Sequence, residues 1–325
     1  MSAVPLVGAL VLGAAFGYGA QRGAFCMNSG FRNVLAGDWT KLKALALAVA
    51  VQLLLLPVLF ALDLAQPALL PLRPWGALTG GLLFGLSMRW AGACAAGVLY
   101  KLGAGDVGAL LALVGMALGA TVAESGPLSA ARIAIQRAEI DPWMPAPIVS
   151  ILVGVAALAA LARAGAGRAG QWTWRRTGIW IGATAVLAWP VSAAYGRRFG
   201  LAVVPGTVGI VSGIGGGSVP AWDAILVAGL ILGGWLGARR SGRIDLTAPG
   251  PSLLLRRFAG GLGLGIGASI AAGCTVGQGL TGLGLLAPSS FVVMGAIFAG
   301  SALATIVARR FEQPPTDLAA LPIRR

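Results

Sequence analysis

Three cysteines and no histidine occur among 325 residues, and each cysteine lies in a run of glycine, alanine and small polar side chains. The runs are QRGAFCMNSGFR (21–32) around Cys26, WAGACAAGVL (90–99) around Cys94 and GASIAAGCTVGQGL (267–280) around Cys274. Small residues let a ligand come close to the main chain. Where such a run breaks a helix, the free N–H groups of the next half-helix make an anion site. A thiol adds a soft, weakly polar contact that a hydroxyl does not supply. Together these residues suit the holding of an anion that carries a soft atom. The missing histidine removes imidazole metal sites, His-ligated haem, Ser-His-Asp triads and histidine proton relays, so no metal or cofactor is expected. Disulfide exchange of the CxxC kind is disfavoured because the three cysteines are far apart in sequence.

Around the thiols, Gly92, Ala93 and Gly97 flank Cys94, and Gly273, Thr275 and Gly277 flank Cys274. These are the residues expected to bare the backbone. Gln278, four residues after Cys274, would share its helical face and donate a hydrogen bond. Arg22, four before Cys26, and Arg89, five before Cys94, would either hold the anion or snorkel to the interface. The plainer alternative is a cysteine that is only a small buried hydrophobe, with spaced glycines that only pack helices.

The elements that position these residues are membrane helices. The chain is 57% hydrophobic and only 10% charged, with mean hydropathy +0.85, against about 25% charged residues in a soluble domain. Nine apolar spans are expected, near 4–20, 44–62, 76–99, 106–124, 145–163, 178–195, 222–238, 258–284 and 288–308, each close to the ~20 residues a crossing needs. Period-two alternation is absent, which excludes a β-barrel. The fold class is an all-α polytopic membrane protein, a single transport domain over 1–325 with halves near 1–163 and 164–325.

The net charge of +14 falls in short clusters between spans rather than on one soluble face, which indicates positive cytoplasmic loops and anionic lipid, not nucleic acid. The clusters are Arg22 to Lys43, Arg163 to Arg176, Arg239 to Arg257, and Arg309 with Arg310. Placing all four inside puts the N-terminus outside and the C-terminus inside. Arg197 and Arg198 then fall outside, against the pattern. The segment 125–143 is expected as a short outer surface helix, and 204–220 as a loop or irregular segment lining a cavity. Asp223 and Glu124, near span ends, are expected to cap or face water, and Trp75, Trp143, Trp189 and Trp222 to anchor at the interfaces.

A shift of 180 residues lays 80–100 over 260–280, where Gly80, Gly81, Leu82, Gly85, Ala91, Cys94 and Gly97 each meet an identical residue. The copies run in opposite directions under this topology, an inverted repeat of the kind that builds many secondary transporters. About 15 residues separate the leading glycine from the cysteine in each copy, too few for a full crossing. Short broken or re-entrant helices are therefore expected to carry the cysteines.

The segments RGAFCMNSGFRN, AGACAAGVLYKLGAG and GASIAAGCTVGQGLTGLGLLAPSSF resemble the signature segments of the YeeE/YedE family of bacterial sulfur-compound transporters. The resemblance covers both halves and implies an inner-membrane permease, not an enzyme, that takes up thiosulfate and relays it between Cys26, Cys94 and Cys274. It also implies a small cytoplasmic sulfur carrier of the TusA type as partner. Thiosulfate fits such a site: three hard oxygens for half-helix N-termini and one soft sulfur for a thiol kept neutral by an apolar setting. Several weak sites suit passage. The alternatives are another sulfur or selenium anion, or a membrane sulfurtransferase working through a cysteine persulfide.

Overall fold

The computed structural model describes residues 4–207, 209, 221–242, 244, 246 and 249–311. The helices are α1 (Val4–Arg22), α2 (Met27–Val34), α3 (Thr40–Ala61), α4 (Pro74–Ala91), α5 (Ala95–Gly103), α6 (Val107–Glu124), α7 (Ser129–Ile135), α8 (Pro147–Ala162), α9 (Trp174–Ala193), α10 (Ala221–Arg239), α11 (Pro251–Ile270) and α12 (Pro288–Phe311), with a π-helical turn at Gly277–Gly282. Local chemistry sets several starts. Proline opens α4, α8 and α11, where its missing N–H is not needed. Asp106 accepts from Ala109 N to cap α6, and Thr173 accepts from Arg176 N to cap α9.

Among the described residues, seven stretches are long and apolar enough to cross a membrane: α1 with α2, α3, α4 with α5, α6, α10, α11 and α12. The chain is an all-helical multi-pass membrane protein; its only strand-like pairings among these residues are two isolated bridges. Of the two remaining expected spans, α8 is apolar but 16 residues long, and α9 has 20 residues and is not among the seven. Large apolar side chains stay exposed on outer faces, as on α8 at Ile148, Leu152 and Val155, a surface made for lipid.

Backbone-to-backbone seams hold the bundle. Gly13 and Gly17 of α1 press on the main chain of Leu226 and Leu230, while Gly229 and Gly233 of α10 press on Leu10 and Ala14, so α1 and α10 run parallel. In the same way α6 runs parallel to α11 (Gly115 on Phe258, Gly119 on Leu262), α4 to α12 (Gly81 on Val293, Gly85 on Ile297) and α3 to α9 (Gly178 on Ala44, Gly182 on Ala48). Other pairs are antiparallel. On α4 and α11, Gly80 meets the main chain of Ile270 and Ala271 while Gly260 meets that of Ala91; on α1 and α9, Gly8 faces the Val191 side chain while Gly19 faces the Trp180 ring. This is small-residue packing, which brings helices close where lipid removes the hydrophobic drive to associate.

Several expectations are corrected. The segment 125–143 does hold a short helix, the seven-residue α7, but continues as an extended stretch in which Ile140 pairs with Leu72. Trp75 and Trp143 are exposed, but Trp189 and Trp222 are buried, so they anchor no interface. Trp189 packs against Phe60 and Phe199, and Trp222 against Tyr195. Asp223 is buried rather than facing water, whereas Glu124 is exposed. The helices leading to Cys94 and Cys274 have 18 and 20 residues, because each starts well before its leading glycine. The segment 204–220 lies outside the described residues except at 204–207 and 209.

Candidate functional site

All three cysteines stand at chain breaks of one design. The residue two positions before each is left-handed: Ala24 (φ 46°), Gly92 (φ 74°) and Ala272 (φ 53°). A left-handed residue ends a helix and turns the chain, and alanine takes that conformation only at a cost. Directly after the turn, Cys26 and Cys94 occupy the extended N-cap positions of α2 and α5, and neither thiol caps its own helix. The first-turn N–H groups therefore keep their positive ends uncovered by the side chain at the cap. Cys274 precedes the π-helical turn, and Gly273 beside it has φ 154°, where a Cβ would lie 2.8 Å from Gln278 Cγ.

The structure brings Cys26 and Cys94 together. Cys94 N donates to Cys26 Sγ at 3.5 Å, and both sulfurs crowd the same spot, 2.8 Å (Cys26) and 3.5 Å (Cys94) from a Cβ built on Gly97. Tyr100, in the second turn of α5, is buried in the same core beside the pair. Gly97 makes room: a Cβ there would sit 2.8 Å from Cys26 Sγ and 2.9 Å from Ala93 Cβ. Cys26, Cys94 and Tyr100 are all buried. Two cations stand behind the pair. Lys101 Nζ donates to Gly92 O at 2.9 Å and Arg257 Nη1 to Ala91 O at 2.7 Å, covering the carbonyl end of α4. Lys41 donates to Ser29, whose hydroxyl donates to Cys26 O.

Cys274 lies apart from the pair, at a cavity of about 510 Å³ that opens at the opposite end of the bundle. Arg73, Arg132, Arg197 and Arg198 line it with Glu124, and Gly277, Ser269 and Val203 also face it. Only Phe199 Cε1, at 4.0 Å, stands in front of a Cβ built on Gly277, so the backbone there is open to the cavity. Thr275 is buried, and its hydroxyl has no partner among the described residues. Cys26 and Cys94 do not line this cavity.

Other expected residues serve as braces. Gln278 Nε2 donates to Ala272 O at 2.9 Å and its Oε1 accepts from Ser290 at 2.6 Å, which ties the turn to α12. Arg22 O accepts from Gln171 and Trp172 N; no hydrogen bond to Cys26 appears among the described residues. Arg89 is half-buried in the last turn of α4.

Sequence reasoning missed Gln136. Its Nε2 donates to Ser269 O at 3.1 Å and Ile270 O at 2.7 Å, capping α11 just before Cys274, while its Oε1 accepts from Arg132 at 3.0 Å. It also missed Tyr100 and the pairing of Arg197 with Asp223. None of the three carries a local signal, because each partner lies in another element.

Residues 22–303 match the model of the family described as Sulphur transport. The chain is 32% identical over 309 residues to the thiosulfate transporter TsuA of Spirochaeta thermophila, covering 87% of this chain and 93% of that protein. It is also 32% identical over 309 residues to the thiosulfate transporter TsuA of Escherichia coli K12, covering 85% of this chain and 86% of that one. The matched region contains all three cysteine breaks, and the chain belongs to the sulphur transport family.

Proposed function

We propose that this chain is a permease that carries thiosulfate inward across the bacterial inner membrane, handing it from Cys274 to the Cys94–Cys26 pair. One observation carries the reading: a thiol and an open backbone turn at the base of a cavity rimmed by arginines. The names of the two relatives favour thiosulfate as the substrate. In this reading the cavity faces outside, the N-terminus is outside, and the basic end around Lys101, Arg175, Arg176 and Arg257 is cytoplasmic. Arg197 and Arg198 then lie outside because they line the anion's way in. Nine crossings form two inverted halves. The helix pairings favour this: α1 runs beside α10 as α9 does beside α3, and α6 beside α11 as α4 does beside α12. A TusA-type carrier would receive the sulfur anion at the cytoplasmic end.

Each site holds the ion weakly. First-turn N–H groups take the oxygens, and a thiol meets the terminal sulfur with a contact worth roughly 0.5–1 kcal/mol. Such sites release as readily as they bind. No bond of the substrate is broken.

The test is uptake of radiolabelled thiosulfate, and growth on it as sole sulfur source, in a host lacking its own uptake systems. Expression of this chain is expected to restore both, with excess sulfate competing poorly because it lacks the soft sulfur. A chain that restores neither, yet takes up a selenium or another sulfur anion, moves the substrate elsewhere. Gly97→Ala is expected to cut uptake by about fivefold or more, since overpacking costs about 1–3 kcal/mol and the new methyl displaces Cys26 Sγ. Normal uptake by a folded Gly97→Ala protein would remove the Cys26–Cys94 contact from the path.

A further inference from the structure

Four arginines line the cavity, and they are not equally engaged. Arg73 is paired with Glu139 at 2.6 Å, and Arg132 donates to Gln136 Oε1 and Ala123 O. Arg197 is different. Its Nη2 meets Asp223 Oδ1 at 2.8 Å, while its buried Nη1 has no hydrogen-bond partner among the described residues. A buried guanidinium nitrogen without an acceptor is costly, and a guanidinium is a planar fork made to share two acceptors.

The surroundings fix this fork in place. Arg197 N donates to Ser192 O, and Ser192 Oγ donates to Phe199 O at 2.8 Å. The guanidinium carbon lies 5.7 Å from the centre of the Trp222 ring. Thr281, in the π-helical turn after Cys274, donates to Leu201 O at 2.8 Å. The segment that carries Arg197 is therefore tied to the turn that follows Cys274. Asp223 supplies the counter-charge that lets a guanidinium remain in a mostly buried place, and it occupies only one edge.

We propose that Arg197, held by Asp223, is the side chain that recognises the oxyanion end of the substrate in the outer cavity, leaving the soft end for Cys274. The inference rests on the reading of the cavity as the way in for thiosulfate. Asp223 on one edge and a sulfonate-like oxygen on the other complete the fork. Arg198 lines the same cavity and adds long-range attraction.

The experiment measures initial rates of radiolabelled thiosulfate uptake by the full chain in proteoliposomes, at fixed ionic strength, for wild type, Arg197→Gln, Arg197→Lys and Asp223→Asn. Size-exclusion profiles and melting temperatures report folding. Arg197→Gln is expected to raise KM about tenfold or more, the usual effect of losing a charge-assisted hydrogen bond, with maximal rate per folded transporter changed less than twofold. Arg197→Lys keeps the ion pair and is expected to raise KM several-fold, because a point charge replaces the fork. It carries the test should Arg197→Gln not fold. Asp223→Asn removes the charge that holds the fork and is expected to raise KM several-fold, because Arg197 is no longer fixed toward the anion. Equal losses of maximal rate in all three variants with KM unmoved would make the pair purely structural and overturn the inference. Wild type that moves no thiosulfate overturns the functional reading; active wild type with unshifted Arg197 variants overturns this inference alone.

Discussion

Cys94→Ala lowers thiosulfate uptake by tenfold or more at equal membrane expression, and Cys94→Ser restores little of it. Alanine keeps the left-handed turn at Gly92, the α5 N-terminus and the Cys94 N–H that donates to Cys26 Sγ. What disappears is one sulfur at the meeting of α2 and α5. If that sulfur were only a weak contact of about 0.5–1 kcal/mol, its removal would slow uptake by no more than about fivefold. A larger fall is expected because truncation costs more than the contact: it also empties the buried space the sulfur filled and leaves Cys26 without its neighbour. Serine is smaller and harder, and offers no polarizable partner to a terminal sulfur. The measurement is initial uptake rate over a range of thiosulfate concentrations, with Cys26→Ala and Cys274→Ala in parallel. Uptake within twofold of wild type in a folded Cys94→Ala protein would return the thiol to packing.

The second large effect concerns the scaffold. On α10, a Cβ at Gly233 would lie 2.0 Å from Ala14 O on α1. The obstacle is main chain, which has no rotamer to escape into. Gly233→Ala therefore forces α1 and α10 apart at a cost of about 1–3 kcal/mol. Gly295 of α12 provides the contrast, with no atom within 4 Å of its built Cβ. There Gly→Ala removes only backbone freedom and is expected to stabilise by about 0.5–1 kcal/mol. In detergent, the first variant should melt several degrees below wild type or fail to accumulate, and the second should melt at or above it. The same melting temperature for both would mean that the seams do not hold the bundle.

Much of this was legible locally. Span positions follow from hydropathy, and glycine-containing runs of small residues signal the breaks at Cys26, Cys94 and Cys274, although the equally glycine-rich stretch 260–270 stays helical. The pairings were not legible. Trp189 and Trp222 stand near span ends, where an interfacial indole and one buried against neighbouring aromatic rings have the same local sequence. Asp223 looked like a helix-start carboxylate until Arg197, 26 residues earlier, was placed against it. Gln136 reaches α11 across 133 residues, beyond the reach of any periodicity. In the orientation proposed, Arg197 and Arg198 depart from the charge rule because that rule describes loops facing headgroups, and these two line a cavity.

The two broken helices end against different chemistry. The carbonyl end of α11 is covered by the neutral amide of Gln136, and that of α4 by the cations Lys101 and Arg257. In the orientation proposed, a dianion travels toward a negatively charged cell interior, against roughly 2.3 kcal/mol per charge for each 100 mV. Fixed charges cannot change that net work. Two of them at the far end do reshape the climb: they form a local well where the voltage drop is nearly complete, so the steepest part of the ascent is met with an attraction waiting beyond it. The two carbonyl ends thus differ in charge, and in the orientation proposed the energy profile along the path is not symmetric about the bilayer midplane.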